Sequence, residues 1–141
     1  MNRRSVVAVV GLIVLFAAGQ AFGQTLSASI TFDRVASLST DRLNVTLTGH
    51  YTCGPLPPDS GITTFSGALS QASGRQVAST IFSVLTTCDA TDHAFQSDVP
   101  ASNIPWHGGL ARVTGSLFVQ DCSVFPCETA QANVNVQVRL R

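Results

Sequence analysis

Four stretches of the chain alternate between apolar and polar residues, and this period of two is the feature that most constrains the fold. The stretches are LSASITF (26–32), LNVTLTGHYTC (43–53), LARVTGSLFVQDC (110–122) and ANVNVQVRLR (132–141). Successive side chains of a β-strand point to opposite faces, so each stretch predicts a strand with one face on a core and one in water. No helical period of 3.6 residues occurs beyond residue 24, and we therefore expect an all-β domain.

Further strands are predicted between the alternating stretches, at ITTFSGAL (62–69), QVASTIFSVLTTC (76–88) and DHAFQS (92–97). Residues 76–88 are apolar on both parities, which indicates a strand that is central or covered on both faces. Turn-forming sequences separate the segments, as at ASGR (72–75) and PASNIPWHGG (100–109). The pattern predicts an immunoglobulin-like antiparallel β-sandwich of about seven strands over residues 24–141, with a small closed barrel as the alternative.

The N-terminal segment has the composition of a secretory signal peptide. Two arginines, Arg3 and Arg4, precede an uncharged apolar run over residues 6–18. Residues 21–23, Ala-Phe-Gly, then place small residues at the two positions that a signal peptidase recognises, so a signal peptide over residues 1–23 is expected. A membrane anchor is the alternative, but the apolar run over residues 6–18 is shorter than the roughly 20 apolar residues that a spanning helix needs. We expect residues 24–141 to be secreted, extracellular and without a stable membrane anchor.

The charge balance of residues 24–141 narrows the possible partners. Six arginines and no lysine stand against eight acidic residues, which leaves a formal charge of −2. A nucleic-acid binder needs a basic stripe to displace counterions, and attraction to anionic lipids needs a polybasic segment. We therefore expect no nucleic acid as a partner. We expect a monomer that binds an unknown extracellular ligand or protein.

Four cysteines in a secreted chain predict a disulfide framework. Cys53 lies on the apolar parity of its strand and Cys88 ends the strand that carries Phe82, so a Cys53–Cys88 bridge would tie two strands through the core. Cys122 and Cys127 lie on the polar parity of two strands joined by four residues. Directly opposed positions of this kind suit a disulfide, and we expect a surface disulfide between Cys122 and Cys127 that fixes the register of the hairpin.

Two other chemistries use closely spaced cysteines. A redox dithiol is usually Cys-x-x-Cys at the start of a helix, whereas Cys122 and Cys127 are separated by four residues between strands. A zinc site needs four ligands with short paired spacings, and His50, His93 and His107 are scattered along the chain. We therefore expect no metal site and keep a secreted thiol–disulfide enzyme as the least favoured alternative.

The sequence contains no catalytic motif. It lacks a Gly-x-Ser-x-Gly elbow, a His-Glu-x-x-His pair and a phosphate-binding loop, so we expect a non-enzymatic binding or structural module without catalytic residues or a cofactor. The candidate ligand or partner contacts are Trp106, in a Pro-flanked loop, and Phe125 with Pro126 at the hairpin tip, because the loops of sandwiches often bind. The alternative for Trp106 is a place in the core.

Several motifs resemble those of known secreted proteins. LTGHYTCG (47–54), TTCDATDH (86–93), GGLARVTGSLFVQDCSVFPCETA (108–130) and VQVRL (136–140) resemble a group of small secreted bacterial immunoglobulin-like domains. That resemblance implies fold and secretion, and no activity. VQDCSVFPCETAQANVNVQVRL (119–140) is similar to the end of the neocarzinostatin-type apoproteins, sandwiches that hold an enediyne chromophore in a cleft. This likeness implies an alternative function, a small-molecule carrier, and we would then expect a cleft between the hairpin and the neighbouring sheet, lined by residues such as Phe82, Phe118 and Trp106.

Overall fold

All regular elements in the described part of the chain are β-strands, as predicted. The computed structural model describes residues 25–57 and 61–141, so the predicted signal peptide over residues 1–23 lies outside the described residues. None of the described residues forms a helix long and apolar enough to cross a membrane. The described strands are β1 (Ser27–Phe32), β2 (Val35–Leu38), β3 (Asn44–Gly54), β4 (Gly61–Ser73), β5 (Gln76–Val84), β6 (Asp92–Pro100), β7 (Gly109–Asp121) and β8 (Glu128–Leu140).

The strands form two layers that are joined through β2. In the first layer, β3 pairs antiparallel with β1 and with β6. In the second layer, β7 pairs antiparallel with β8 on one side and β4 on the other, and β5 pairs with β4. β2 is antiparallel to β3 and parallel to β8, so it connects the two layers at one edge. The arrangement is consistent with the predicted β-sandwich. The alternation does not predict β2, because four residues are too few to show a period.

The interpretation of residues 76–88 as a strand that is central or covered on both faces is wrong on both points. β5 ends at Val84 and lies at the edge of its layer, where β4 is the only described strand paired with it. Ala78 and Phe82 face the core, whereas Ile81, on the opposite parity, is 82% exposed. The apolar residues on both parities therefore reflect an exposed apolar surface rather than a second buried face.

The core between the layers has an aliphatic part and an aromatic part. The aliphatic part surrounds Trp106 and includes Leu69, Val99 and Leu140, all buried. In the aromatic part, the ring centroids of Phe65 and Phe95 are 5.0 Å apart with an interplanar angle of 79°. This edge-to-face geometry is favoured because the positive edge of one ring meets the negative face of the other. In both parts of the core, the buried side chains of the long strands belong to the apolar parity, as the alternation in the sequence predicts.

Both predicted disulfides are present. Cys53 is fully buried at the end of β3 and is bonded to Cys88, with a Cα–Cα distance of 4.6 Å. Cys88 lies in the connection between β5 and β6, so this bridge joins a strand to a loop rather than two strands. Cys122 and Cys127 are bonded with a Cα–Cα distance of 4.3 Å and close the hairpin between β7 and β8.

Candidate functional site

A groove of about 640 Å³ lies on the outer face of the second layer, opposite the face that covers the core. Four strands contribute to it, namely β4, β5, β7 and β8. The side chains of outward parity that line it are small or hydroxylated, apart from one isoleucine. They are Ser66, Ala68, Ile81, Ser83, Thr114, Ser116 and Asn133.

The strand register aligns four of the five polar outward members of this lining in one row across the layer. Ser66 of β4 is paired with Ser83 of β5 on one side and with Ser116 of β7 on the other. Ser116 is in turn paired with Asn133 of β8. Side chains directly opposite one another on the same face lie about 5 Å apart, so the row crosses four strands without a gap.

Several hydroxyl groups of the groove are available to a ligand. The hydroxyls of Ser66, Ser83 and Thr114 make no hydrogen bond to any other group in residues 25–57 and 61–141. Ser116 differs, because its Oγ accepts a hydrogen bond from Nε2 of Gln131 at 3.3 Å. No charged side chain is present among the described residues that line the groove. The groove therefore offers neutral donors and acceptors, and the described part of its lining is uncharged.

Two glycines form the floor of the groove. Gly67 of β4 and Gly115 of β7 are paired directly. On the core side, a Cβ atom on Gly67 would lie 2.5 Å from Cζ of Phe82, and one on Gly115 would lie 2.9 Å from Cε2 of Phe32. These distances are shorter than van der Waals contact, so the close packing of each ring on the backbone requires glycine. Phe82 also contributes to the lining of the groove.

Ile81 and Phe118 lie on the same outer face as the polar row. Ile81 is paired with Ala68 in the row next to the serines and lines the groove. Phe118 is half-buried and is paired with Thr64 and Gln131, outside the lining residues. Of the three residues predicted to line a cleft, the structure therefore places Phe82 at the groove and Phe118 beside it.

Trp106 lies in the core and not at a binding surface. Its side chain has no exposed area, and its backbone N–H donates to the carbonyl of Arg42 at 2.9 Å. The next residue is fixed by the buried Gln71, whose Oε1 accepts from the backbone N–H of His107 at 3.0 Å. Nε2 of Gln71 donates to the carbonyl of His107 at 2.8 Å. These hydrogen bonds hold the loop over the end of the core.

Phe125 and Pro126 are exposed at the tip of the β7–β8 hairpin. The side chain of Phe125 is 97% exposed, and the Cys122–Cys127 bridge closes the base of the tip. Trp106 precedes β7 and Phe125 follows it, so they lie at opposite ends of a strand of 13 residues. At about 3.3 Å per residue, that strand is roughly 40 Å long, and the structure does not bring the predicted contacts together.

Two histidine–aspartate pairs lie around β6, away from the groove. Nδ1 of His50 is 2.7 Å from Oδ2 of Asp92, and Nε2 of His93 is 2.8 Å from Oδ1 of Asp89. Hydrogen bonds from the Thr91 hydroxyl and from His93 hold the pKa of the Asp89 carboxyl below its ordinary value. Among the described residues, no group of three or more His, Cys, Asp or Glu could hold a metal ion. The first pair joins β6 to β3, and the second joins β6 to the loop that precedes it.

Comparison with known proteins adds no family to this description. No protein-family model matches the chain, and no curated protein matches it. The two resemblances drawn from the sequence stay predictions, so function has to be argued from the groove and the exposed surfaces. The one signal for the groove in the sequence is a group of small side chains at outward positions of β4, β5 and β7, namely Ser66, Ala68, Ser83, Thr114 and Ser116.

Proposed function

We propose that this protein is a non-enzymatic binding module that holds a small, mainly apolar molecule in the groove. The observation that carries the proposal is the row formed by Ser83, Ser66, Ser116 and Asn133 in a solvent-facing groove whose described lining carries no charged side chain. The outer face of a half-buried sheet usually carries polar and charged side chains. Small side chains leave a depression here, and hydroxyls without partners border it.

The size and chemistry of the groove support a ligand of a particular class. Its volume of about 640 Å³ falls inside the range of roughly 300–1,000 Å³ typical of small-molecule sites. The absence of charge in the described lining disfavours a ligand held by ion pairs, because a charged group would lose hydration without a partner. Ile81, Ala68 and Phe82 offer apolar surface. The ligand that fits is a neutral molecule with an apolar body and a few hydroxyl or carbonyl groups.

The groove also supports the carrier function implied by the local resemblance to the neocarzinostatin-type apoproteins. A carrier needs a stable scaffold and an open site, and it needs no catalytic group. The two disulfides brace the scaffold, and they suit an oxidising environment, so we place the binding outside the cell. Such a protein would take up its ligand without changing it.

A second candidate function is protein binding through the hairpin tip. The exposed side chains of Phe125 and Val124 favour it, because aromatic residues on a rigid tip lose little entropy on binding. The groove is the stronger candidate, because it combines volume, apolar surface and hydrogen-bonding groups.

Filling the groove is expected to abolish ligand binding. Ala68 points into the groove between Thr114 and Ile81, so an indole in Ala68→Trp would occupy the ligand's volume. Isothermal titration calorimetry with 2-naphthol, a neutral aromatic probe with one hydroxyl, should give saturable binding to the unaltered protein. We expect an affinity at least about tenfold lower for Ala68→Trp, a change of about 1.4 kcal/mol.

Ala72→Trp is the matched control, because Ala72 lies on the same strand and parity but outside the groove lining. It should bind 2-naphthol as the unaltered protein does. The proposal would be contradicted if the unaltered protein bound no 2-naphthol, or if both tryptophan variants bound it equally well.

A further inference from the structure

Two arginines lie beside the groove, on the same outer face of the second layer. Arg112 of β7 and Arg139 of β8 are exposed, whereas the residues on either side of each are buried, so both arginines have the outward parity. In the ladder, Arg112 is opposite Gln137 and Arg139 is opposite Leu110, which makes the two arginines diagonal neighbours. Such neighbours are about 7–8 Å apart, so their long side chains can meet at one ligand group.

Neither guanidinium group has a partner in the described part of the protein. Within residues 25–57 and 61–141, the side chains of Arg112 and Arg139 make no ion pair and no hydrogen bond. The acidic residues of strands β4, β5, β7 and β8 are Asp121 and Glu128. These two lie opposite each other at the far end of β7, roughly 30 Å from Arg112. The two positive charges therefore repel each other, and no acidic residue of these four strands lies close enough to offset them.

The arginines continue the groove at one of its ends. Thr114 lines the groove, and Arg112 lies two positions before it on the same face of β7, about 7 Å away. Ser70 of β4, opposite Arg112, has a small side chain, so the open strip extends as far as the row of the arginine. Ser116, in the serine row, is about 13 Å from Arg112 along the strand. A molecule of two fused rings that is hydrogen-bonded at the serine row can therefore reach the guanidinium group.

We propose that the ligand of the groove ends in an oxyanion, such as a carboxylate, where it leaves the groove beside Thr114. This inference rests on the proposed function and extends it. The lining alone selects a neutral body, whereas Arg112, one row outside the lining, supplies a partner for a charged end that stays at the exposed rim. Guanidinium N–H groups match the oxygens of an oxyanion in paired hydrogen bonds, and Arg139 adds a second positive charge. Because the acidic residues lie at the opposite end of this face, the charges also orient the ligand.

Two probes with the same ring system isolate the charged end. 2-Naphthol has no charge, and 6-hydroxynaphthalene-2-sulfonate is the same molecule with a sulfonate at the end remote from the hydroxyl. Isothermal titration calorimetry of the protein expressed from the full-length sequence should give an affinity about fivefold higher for the sulfonate, the gain expected of an exposed ion pair. The difference should vanish in about 1 M NaCl, where the screening length is roughly 3 Å.

Arg112→Gln removes the positive charge and keeps a side chain that can form hydrogen bonds. This variant should bind the sulfonate no more tightly than it binds 2-naphthol. Arg42→Gln is the matched control, because it makes the same change of charge at an exposed arginine in the connection between β2 and β3. It should retain the preference of about fivefold for the sulfonate, since its charge is screened from the groove by salt.

The outcomes separate this inference from the proposed function. Binding of 2-naphthol with no preference for the sulfonate would overturn the anionic end and leave the proposed function standing. The same preference in the unaltered protein and in Arg112→Gln would do so too. Failure of both probes to bind would contradict both claims. Sulfonate binding that Ala68→Trp leaves unchanged would show that the anion is held without the groove, and would also overturn the inference.

Discussion

Replacement of Trp106 by alanine is expected to lower the free energy of unfolding by about 3–5 kcal/mol. Trp106 is the largest fully buried side chain among the described residues, and it packs in the aliphatic part of the core. Its removal would leave a cavity that the surrounding strands cannot fill, since their positions are fixed by the sheet hydrogen bonds. Urea denaturation followed by far-UV circular dichroism measures the change.

Phe125→Ala is the matched aromatic control. The side chain of Phe125 is 97% exposed, so its truncation should change the unfolding free energy by less than about 0.5 kcal/mol. Comparable destabilisation by the two variants would show that the burial assigned to Trp106 does not hold in solution.

Loss of the Cys53–Cys88 bridge is expected to be the second large effect. The bridge closes a loop of sequence separation 35, and the chain-entropy model gives about 4 kcal/mol for a loop of this size. Removal of the Cys122–Cys127 bridge, of separation 5, should cost about 2 kcal/mol on the same model. The double alanine variants of each pair, compared by urea denaturation, measure both values.

We expect removal of the Cys53–Cys88 bridge to lower the free energy of unfolding more than removal of the Cys122–Cys127 bridge does. Cys53 is buried in the aromatic part of the core, so its loss also removes packing, which adds to the larger value. Cys122 and Cys127 are exposed, and the hairpin they close is already held by the ladder between β7 and β8. A larger loss from the hairpin bridge than from the core bridge would contradict this account.

The sequence predicts those features that depend on one strand at a time. Parity along a single strand places Val113, Leu117 and Val138 on the core, and the structure buries all three. Parity also predicts both disulfide pairings, because Cys53 lies on an apolar face and Cys122 and Cys127 flank a short turn. These arguments succeed because the period of a strand is local.

Features that depend on the neighbours of a strand could not be predicted in this way. The apolar outward residues of β5 suggest a covered strand, and only the topology shows that β5 is an edge. The row of Ser83, Ser66 and Ser116 joins residues far apart in sequence, so it exists only once the register is known. Trp106 lies in a loop without a period, and its burial depends on the hydrogen bonds of Gln71 and His107.

Native mass spectrometry of the protein recovered from its own host shows whether the groove holds a small molecule. We expect a non-covalent mass in addition to the polypeptide with two disulfides, present in the unaltered protein and in Ala72→Trp and lost in Ala68→Trp. The bare polypeptide mass in all three proteins, or an added mass that Ala68→Trp retains, would contradict the claim.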